Sequence, residues 1–317
     1  MFTVVIPLYN KKPYIRRSVE SVLQQTFTDF ELFVIDDGST DGGIDELAGI
    51  SDDRLCLIQQ MNSGKGEARN AGIRKATREW IAFIDADDMW FSTHLQELKR
   101  IIDAHPNVGL ISTNYLECNT ESIIPELPNA STSIEEIDYF IKASTKIGIV
   151  FTSSAAVRSS VAKKMGGFKR FKAGEDLEFW ARIALEYSVA ISSAITAVYF
   201  RGTDGVMESL CYRVNNETRQ MSLSEISPSV AFLVDCLDEP KYSNKRNSIV
   251  TYINSRVYSC VRGELYHGNV TGAKSVVKLM IAPLPFRLRV LTYGLLLPDS
   301  WIKIPLAIFR MIKSIKN

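Results

Sequence analysis

Over its first 112 residues the chain alternates short β-branched apolar runs with stretches of helical periodicity, a pattern few architectures accept. Thr3–Leu8 (TVVIPL), Glu31–Ile35 (ELFVI), Leu55–Gln59, Trp80–Ile84 and Val108–Ser112 read as strands. Tyr14–Gln24 places Ile15, Val19, Val22 and Leu23 on one helical face, and Gly66–Thr77 carries Ala68, Ala71, Ile73 and Ala76. His94–Ala104 is amphipathic and is closed by Pro106. Such alternation implies an α/β fold: a mostly parallel sheet with helices on both faces. Ligands of these sheets bind beyond the carboxyl ends of the strands. Two acidic segments fall there: Asp36-Asp37 after one strand, and Asp85-Ala86-Asp87-Asp88 after another.

The second acidic segment raises a physical problem. Three carboxylates within four residues repel one another unless a cation compensates them. Single aspartates at strand ends are often helix caps or turn formers, and Asp88 fits that role. The pair Asp85 and Asp87, straight after a buried strand, points instead to a hard cation with oxygen ligands, Mg²⁺ or Mn²⁺, of the kind that bridges to a diphosphate.

Several function classes are excluded. The net charge of +1 gives no basic field for nucleic acid. The five cysteines (Cys56, Cys118, Cys211, Cys236, Cys260) are scattered without a CxxC, which argues against a disulfide framework or a zinc-thiolate site and fits a reducing cytosol. His94, His105 and His267 are too dispersed for a histidine metal cage. Neither GxGxxG after a strand, GxxxxGK[ST] nor GxSxG occurs. The N-terminus has no basic segment ahead of an apolar one, so a signal peptide is not expected. No apolar stretch reaches the roughly 18–20 residues that span a bilayer. The expected location is cytoplasmic.

Further along, 119–133 is polar with Pro125 and Pro128 and reads as a loop, whereas Ile147–Val157 is apolar and β-like. Lys163–Ala173, with Gly166-Gly167 and several bases, suggests a mobile loop before a clear helix over Asp176–Tyr187. Beyond about Gly205 helical patterns dominate.

Five signatures in order carry a family resemblance: Val4-Val5-Ile6-Pro7-Leu8-Tyr9-Asn10; Val34-Ile35-Asp36-Asp37-Gly38-Ser39-Thr40-Asp41; Asn62-Ser63-Gly64 with Ala68-Arg69-Asn70-Ala71-Gly72; Phe83-Ile84-Asp85-Ala86-Asp87-Asp88; and Gly174-Glu175-Asp176 leading into Phe179-Trp180. Over residues 2–205 the chain resembles the family 2 glycosyltransferases, which have the GT-A fold. The resemblance implies a catalytic domain at 1–205, with a nucleotide-binding half to about 115 and an acceptor half beyond it. A helical region would fill 206–317.

It also implies roles. Pro7 and Tyr9 would line the nucleotide pocket, Asp37 would accept a hydrogen bond from the base, Arg69 would face the nucleotide or its diphosphate with Lys65 as a second candidate, and Asp87 would hold the metal. Asp85 would touch the ribose or the metal's water shell. Asp176 would be the general base that deprotonates the acceptor hydroxyl, kept ionised by the positive end of its helix. Glu175 and Trp180 are candidates for acceptor contact, Trp180 by stacking on a sugar or, alternatively, as core. The expected activity is inverting transfer from a nucleotide sugar, UDP-linked, to a saccharide or lipid-linked saccharide in surface-polysaccharide assembly. A sugar nucleotidyltransferase is the alternative, but Pro7-Leu8-Tyr9-Asn10 stands where such an enzyme needs a glycine- and basic-rich loop. A non-catalytic nucleotide-sugar binder is a third, against which Asp87 and Asp176 speak. Residues 286–317 hold six Lys/Arg and one acid, Asp299. From Trp301, Ile304, Ile308, Met311, Ile312 and Ile315 share a helical face, and Lys303, Arg310 and Lys313 gather on another. That pattern fits either an interfacial helix on anionic lipid, making the protein peripheral on the inner membrane face, or a helix packed on the domain.

Overall fold

The computed structural model describes residues 1–118, 132–202, 226–284 and 286–295. The chain divides into two compact units, Met1–Glu208 and Ser209–Asn317.

The first unit is built on one sheet of nine strands: β1 (Phe2–Leu8), β2 (Phe30–Asp36), β3 (Leu55–Gln59), β4 (Trp80–Phe83), β5 (Met89–Trp90), β6 (Leu110–Cys118), β7 (Ile134–Ile137), β8 (Ala155–Arg158) and β9 (Val189–Phe200). Their order is β3-β2-β1-β4-β8-β6-β9-β5, with β7 paired to β9. The first four strands are parallel, as the alternation predicts. From β8 outward the sheet is mixed: β8 runs antiparallel to β4 and β6, and β6 runs parallel to β9.

The helices described in this unit are α1 (Lys12–Leu23), α2 (Lys65–Lys75), α3 (His94–Ala104), α4 (Tyr139–Thr145), α5 (Ser159–Lys164) and α6 (Glu175–Glu186). Every residue of β1 is buried, the mark of a central parallel strand covered on both faces. Val4, Ile6 and Leu8 share a core with Ile15 and Val19 of α1 and with Trp80 of β4. Helix α2 lies against β1 so closely that a Cβ on Gly72 would sit 2.5 Å from Val5 Cγ1. Gly72→Ala should therefore lower unfolding stability by about 1–3 kcal/mol, read by urea denaturation, because an added methyl there forces a backbone shift. A cost near zero would mean that α2 moves without resistance.

In the second unit α7 (Pro228–Cys236), α8 (Arg246–His267), α9 (Val270–Val277) and α10 (Phe286–Leu295) are described. The long α8 stops at Gly268, whose left-handed φ of 80° suits a residue without Cβ. Asn269 then caps α9, its Oδ1 accepting from Gly272 N at 2.9 Å. Val230, Leu233, Tyr252, Ile253 and Val276 are among its buried core. Among the described residues no helix is long and apolar enough to cross a membrane. The amphipathic stretch from Trp301 lies outside the described residues.

Candidate active site

The apolar strand β4 ends at the sheet's carboxyl edge, and the chain there turns through Asp85–Asp88. The three carboxylates do not share one partner. Asp85 Oδ1 accepts from Arg69 Nη2 at 2.5 Å, and Asp87 Oδ2 pairs with Lys11 Nζ at 2.8 Å. Asp88 is buried and accepts from the Ser153 hydroxyl and from Phe200 N. Burial opposes ionisation of Asp85, but Arg69, Lys65 and Lys11 together hold it below the usual carboxylate range. Burial first, then Asp85 and Asp87, push Asp88 well above that range.

Helix α1 fixes the backbone of this turn. Ser18 Oγ lies 2.8 Å from the Ala86 carbonyl oxygen and 2.6 Å from that of Asp88, and Arg17 Nη2 donates to the Asp87 carbonyl at 2.6 Å.

A second cluster begins at Arg69 on α2. Its side chain is 1% exposed. Besides Asp85 it donates to Glu175 Oε1 at 3.2 Å, across 106 residues of sequence. Lys65 Nζ reaches the same oxygen at 2.8 Å. Burial disfavours the Arg69 charge, yet Asp85 and Glu175 hold its pKa above the ordinary guanidinium value. The next residue, Asn70, exchanges two hydrogen bonds of 2.8 Å with the Phe168 backbone. Gly167, with φ 69°, makes room for this, since a Cβ there would lie 2.2 Å from Asn70 Oδ1. The segment around Gly166-Gly167, expected to be mobile, is thus fastened to α2.

Asp176 stands in the first turn of α6, with Gly174 at the N-cap. Its Oδ1 accepts from Leu177 N at 2.8 Å and its Oδ2 from Thr152 Oγ1 at 3.2 Å. Burial and then the Glu175 carboxylate raise its pKa, outweighing Lys65 and Arg69. The positive end of the helix, expected to keep Asp176 ionised, is thus opposed by burial and by the Glu175 carboxylate, and a raised pKa makes a carboxylate a stronger proton acceptor.

A 3-10 turn at Thr152–Ser154 joins the two clusters. Thr152 donates to Asp176, while the adjacent Ser153 donates to Asp88 and accepts from Asp85 N at 3.0 Å. Thr152, Ser153, Lys11, Arg17 and Ser18 were not singled out in the sequence. The signal for the first two is a polar Thr-Ser-Ser inside the apolar run Ile147–Val157.

Four sequence expectations change in detail. Arg69 and Lys65, expected on a diphosphate, face Glu175, and Arg69 is sealed from solvent. Glu175, a candidate for acceptor contact, is 2% exposed and serves these two cations. Trp180 is core rather than a sugar platform: it is 0% exposed, with the rings of Phe83, Phe168 and Phe179 centred 6.3, 5.7 and 5.2 Å away. Asp37 is buried, its carboxylate accepting from Gln60 Nε2 at 2.7 Å, Ser63 N at 2.9 Å and Gly64 N at 2.8 Å. Pro7 is buried at the end of β1, and Tyr9 beside it is 48% exposed. Asn10 takes a left-handed φ of 50°, its Oδ1 accepting from Thr40 N at 2.9 Å.

Among the described residues no three His, Cys, Asp or Glu converge as a ready cation cage. Asp88 has both oxygens engaged. Asp85 and Asp87 remain at the edge as candidate ligands, an oxygen-only set suited to a hard ion that completes its shell with phosphate and water. An ion on Asp87 would have to displace Lys11.

The mixed sheet, with helices on its faces and an acidic turn at its carboxyl edge, is a GT-A fold. The crystal structure of S. aureus TarS 1-349 in complex with UDP-GlcNAc has this fold, with a TM-score of 0.67, 18% identity and coverage of 99% of this chain and 90% of that one. So has the mannosyltransferase PcManGT of Pyrobaculum calidifontis in complex with GDP-Man and Mn²⁺, with a TM-score of 0.56, 18% identity and coverage of 98% and 86%. Residues 3–166 match the model of glycosyl transferase family 2, and the chain belongs to that family.

The succinoglycan biosynthesis protein ExoW of Rhizobium meliloti is 46% identical over 99 residues, 29% of this chain and 31% of that protein. The Escherichia coli UDP-Glc:alpha-D-GlcNAc-diphosphoundecaprenol beta-1,3-glucosyltransferase WfgD is 33% identical over 125 residues, 39% and 49% of the two chains. The aligned stretch thus spans less than half of either relative.

Proposed function

We propose that this chain is an inverting, metal-dependent glycosyltransferase that moves a sugar from a UDP-linked donor to a hydroxyl of a saccharide or lipid-linked saccharide. Surface-polysaccharide assembly is the setting, in keeping with the relatives named above. The observation that carries the reading is the Thr152–Ser153 bridge, which brings Asp176 next to the Asp85–Asp88 turn. A transferase of this kind needs both ends at once: a place for the leaving diphosphate and a base for the incoming hydroxyl.

In this reading Asp87, with Asp85, holds the divalent ion, Mg²⁺ or Mn²⁺. The bound ion supplies Lewis-acid stabilisation of the leaving diphosphate. Tyr9, exposed after β1, and the loop organised by Asp37 flank the base and ribose. Asp176, raised in pKa by burial and Glu175, takes the acceptor proton. Thr152 orients its carboxylate. Arg69 and Lys65 neutralise Glu175, so that Asp176 meets less negative charge than its sequence neighbours suggest.

The test is a calorimetric titration of UDP in the presence and absence of Mn²⁺. Wild type should gain affinity with the ion, and Asp87→Ala should lose that gain. Equal affinity of both proteins with Mn²⁺ would contradict the metal assignment. The basic C-terminal stretch is proposed as the membrane contact of a peripheral enzyme. Deleting residues 300–317 should release the protein from anionic liposomes in a sedimentation assay, and undiminished binding would defeat that assignment.

A further inference from the structure

With Trp180 sealed in the core, the acceptor sugar needs another surface, and the residue before the bridging turn supplies one. Phe151 immediately precedes Thr152. Its ring centre lies 4.6 Å from that of Tyr115 on β6 and 5.0 Å from that of Tyr199 on β9. In the parallel register of β6 and β9, Tyr115 pairs with Ala197 and Glu117 with Tyr199, so both tyrosines lie on one sheet face.

Three consecutive residues thus make three different connections: Phe151 to the aromatic cluster, Thr152 to Asp176, and Ser153 to Asp85 and Asp88. Tyr199 precedes Phe200, whose backbone N–H donates to Asp88 Oδ1 at 3.2 Å, so this ring stands beside the acidic turn.

The three rings differ from the aromatic core of the same unit. Phe83, Phe168, Phe179 and Trp180 are fully buried, whereas Tyr115, Phe151 and Tyr199 are each half-buried. Polar groups edge the cluster: Lys146 Nζ lies 5.5 Å from the Tyr115 ring centre and donates to Asn114 Oδ1 at 3.1 Å.

We propose that Phe151, with Tyr115 and Tyr199, is the platform on which a pyranose ring of the acceptor stacks, delivering its hydroxyl to Asp176. The chemistry is that of a sugar's C–H face, slightly positive, against the negative face of an aromatic ring. Apolar surface with a few polar groups at its edge is also the common make-up of small-molecule sites. The inference rests on the glycosyltransferase reading above and adds the acceptor subsite to it.

The experiment is saturation-transfer difference NMR on the full chain with UDP and Mn²⁺ present. The probes are methyl glycosides of glucose, galactose and N-acetylglucosamine. Wild type should transfer saturation to the ring C–H protons of one pyranose face for at least one probe. Phe151→Leu, which keeps apolar bulk but removes the ring, should weaken that probe's affinity by about 3- to 10-fold. It should stay folded, with a thermal midpoint lowered by only a few degrees, and keep the wild-type affinity for UDP. Phe151→Tyr, which restores a ring face, should restore binding.

Unchanged affinity in Phe151→Leu would overturn the platform, as would the absence of saturation for every glycoside on a protein that binds UDP. Failure of wild type to bind UDP would instead overturn the donor reading, and the platform with it.

Discussion

Replacing Arg69 by alanine is expected to cost about 3–5 kcal/mol of folding stability, the penalty for stranding a buried charge whose partner is removed. Among the described residues the guanidinium alone pairs with both Asp85 and Glu175. Without it, Lys65 is the one cation left on Glu175 among the described residues, and the Glu175 Oε2 already lacks a hydrogen-bond partner. The side chain also packs over Phe168, at 5.2 Å from the ring centre, so alanine removes volume as well as charge. Arg69→Lys should recover only part of the loss, because a single ammonium does not reproduce a planar fork reaching two acids. Urea denaturation measures both. A loss below about 1 kcal/mol for Arg69→Ala, the value of an exposed ion pair, would mean that the two carboxylates find other partners.

The second large effect is catalytic. Asp176→Asn should lower turnover of a donor–acceptor pair by about 10²- to 10⁴-fold, the usual contribution of a positioned base. UDP affinity should remain near the wild-type value. The pH profile carries a sign that can be checked. The Asp176 pKa is raised, by burial and then by Glu175, and the base must be ionised to act. Turnover should therefore fall as pH drops through that raised value, with the acid limb above the range of an ordinary aspartate. Glu175→Gln removes the neighbouring charge that raises Asp176, so it should move the limb to lower pH. An acid limb that stayed in place would separate Glu175 from the base.

The legible parts of this molecule are those decided by local pattern. β1 and α1 announce themselves because a strand buried on both faces is continuously apolar and a helix repeats its apolar residues at fixed spacing. β5 and β7 do not, since two and four residues are too few to carry a period. β9 has buried ends around an exposed Ser193, so its alternation is broken. The parallel half of the sheet follows from strand–helix alternation, but the antiparallel insertion of β8 between β4 and β6 depends on pairing across long separations.

The candidate site divides in the same way. Its acids were visible because aspartates at a strand end are chemically conspicuous. Their partners were not. Lys11 meets Asp87 across 76 residues, and Arg69 meets Glu175 across 106. The resemblance, with guanidinium chemistry behind it, made the nucleotide or its diphosphate the expected partner for Arg69, and the fold supplies two carboxylates. Trp180 has the right chemistry for a sugar platform, yet its helix turns it among Phe83, Phe168 and Phe179, and the half-buried Phe151 takes up that role in the present proposal.

The proposed reaction is a direct displacement at the anomeric carbon, with Asp176 acting from the side opposite the departing diphosphate. It is tested by proton NMR of the first-formed product when the protein turns over a UDP-α-linked sugar with Mn²⁺, read before the anomers equilibrate. The β configuration is expected in that product. A first-formed α product would contradict it.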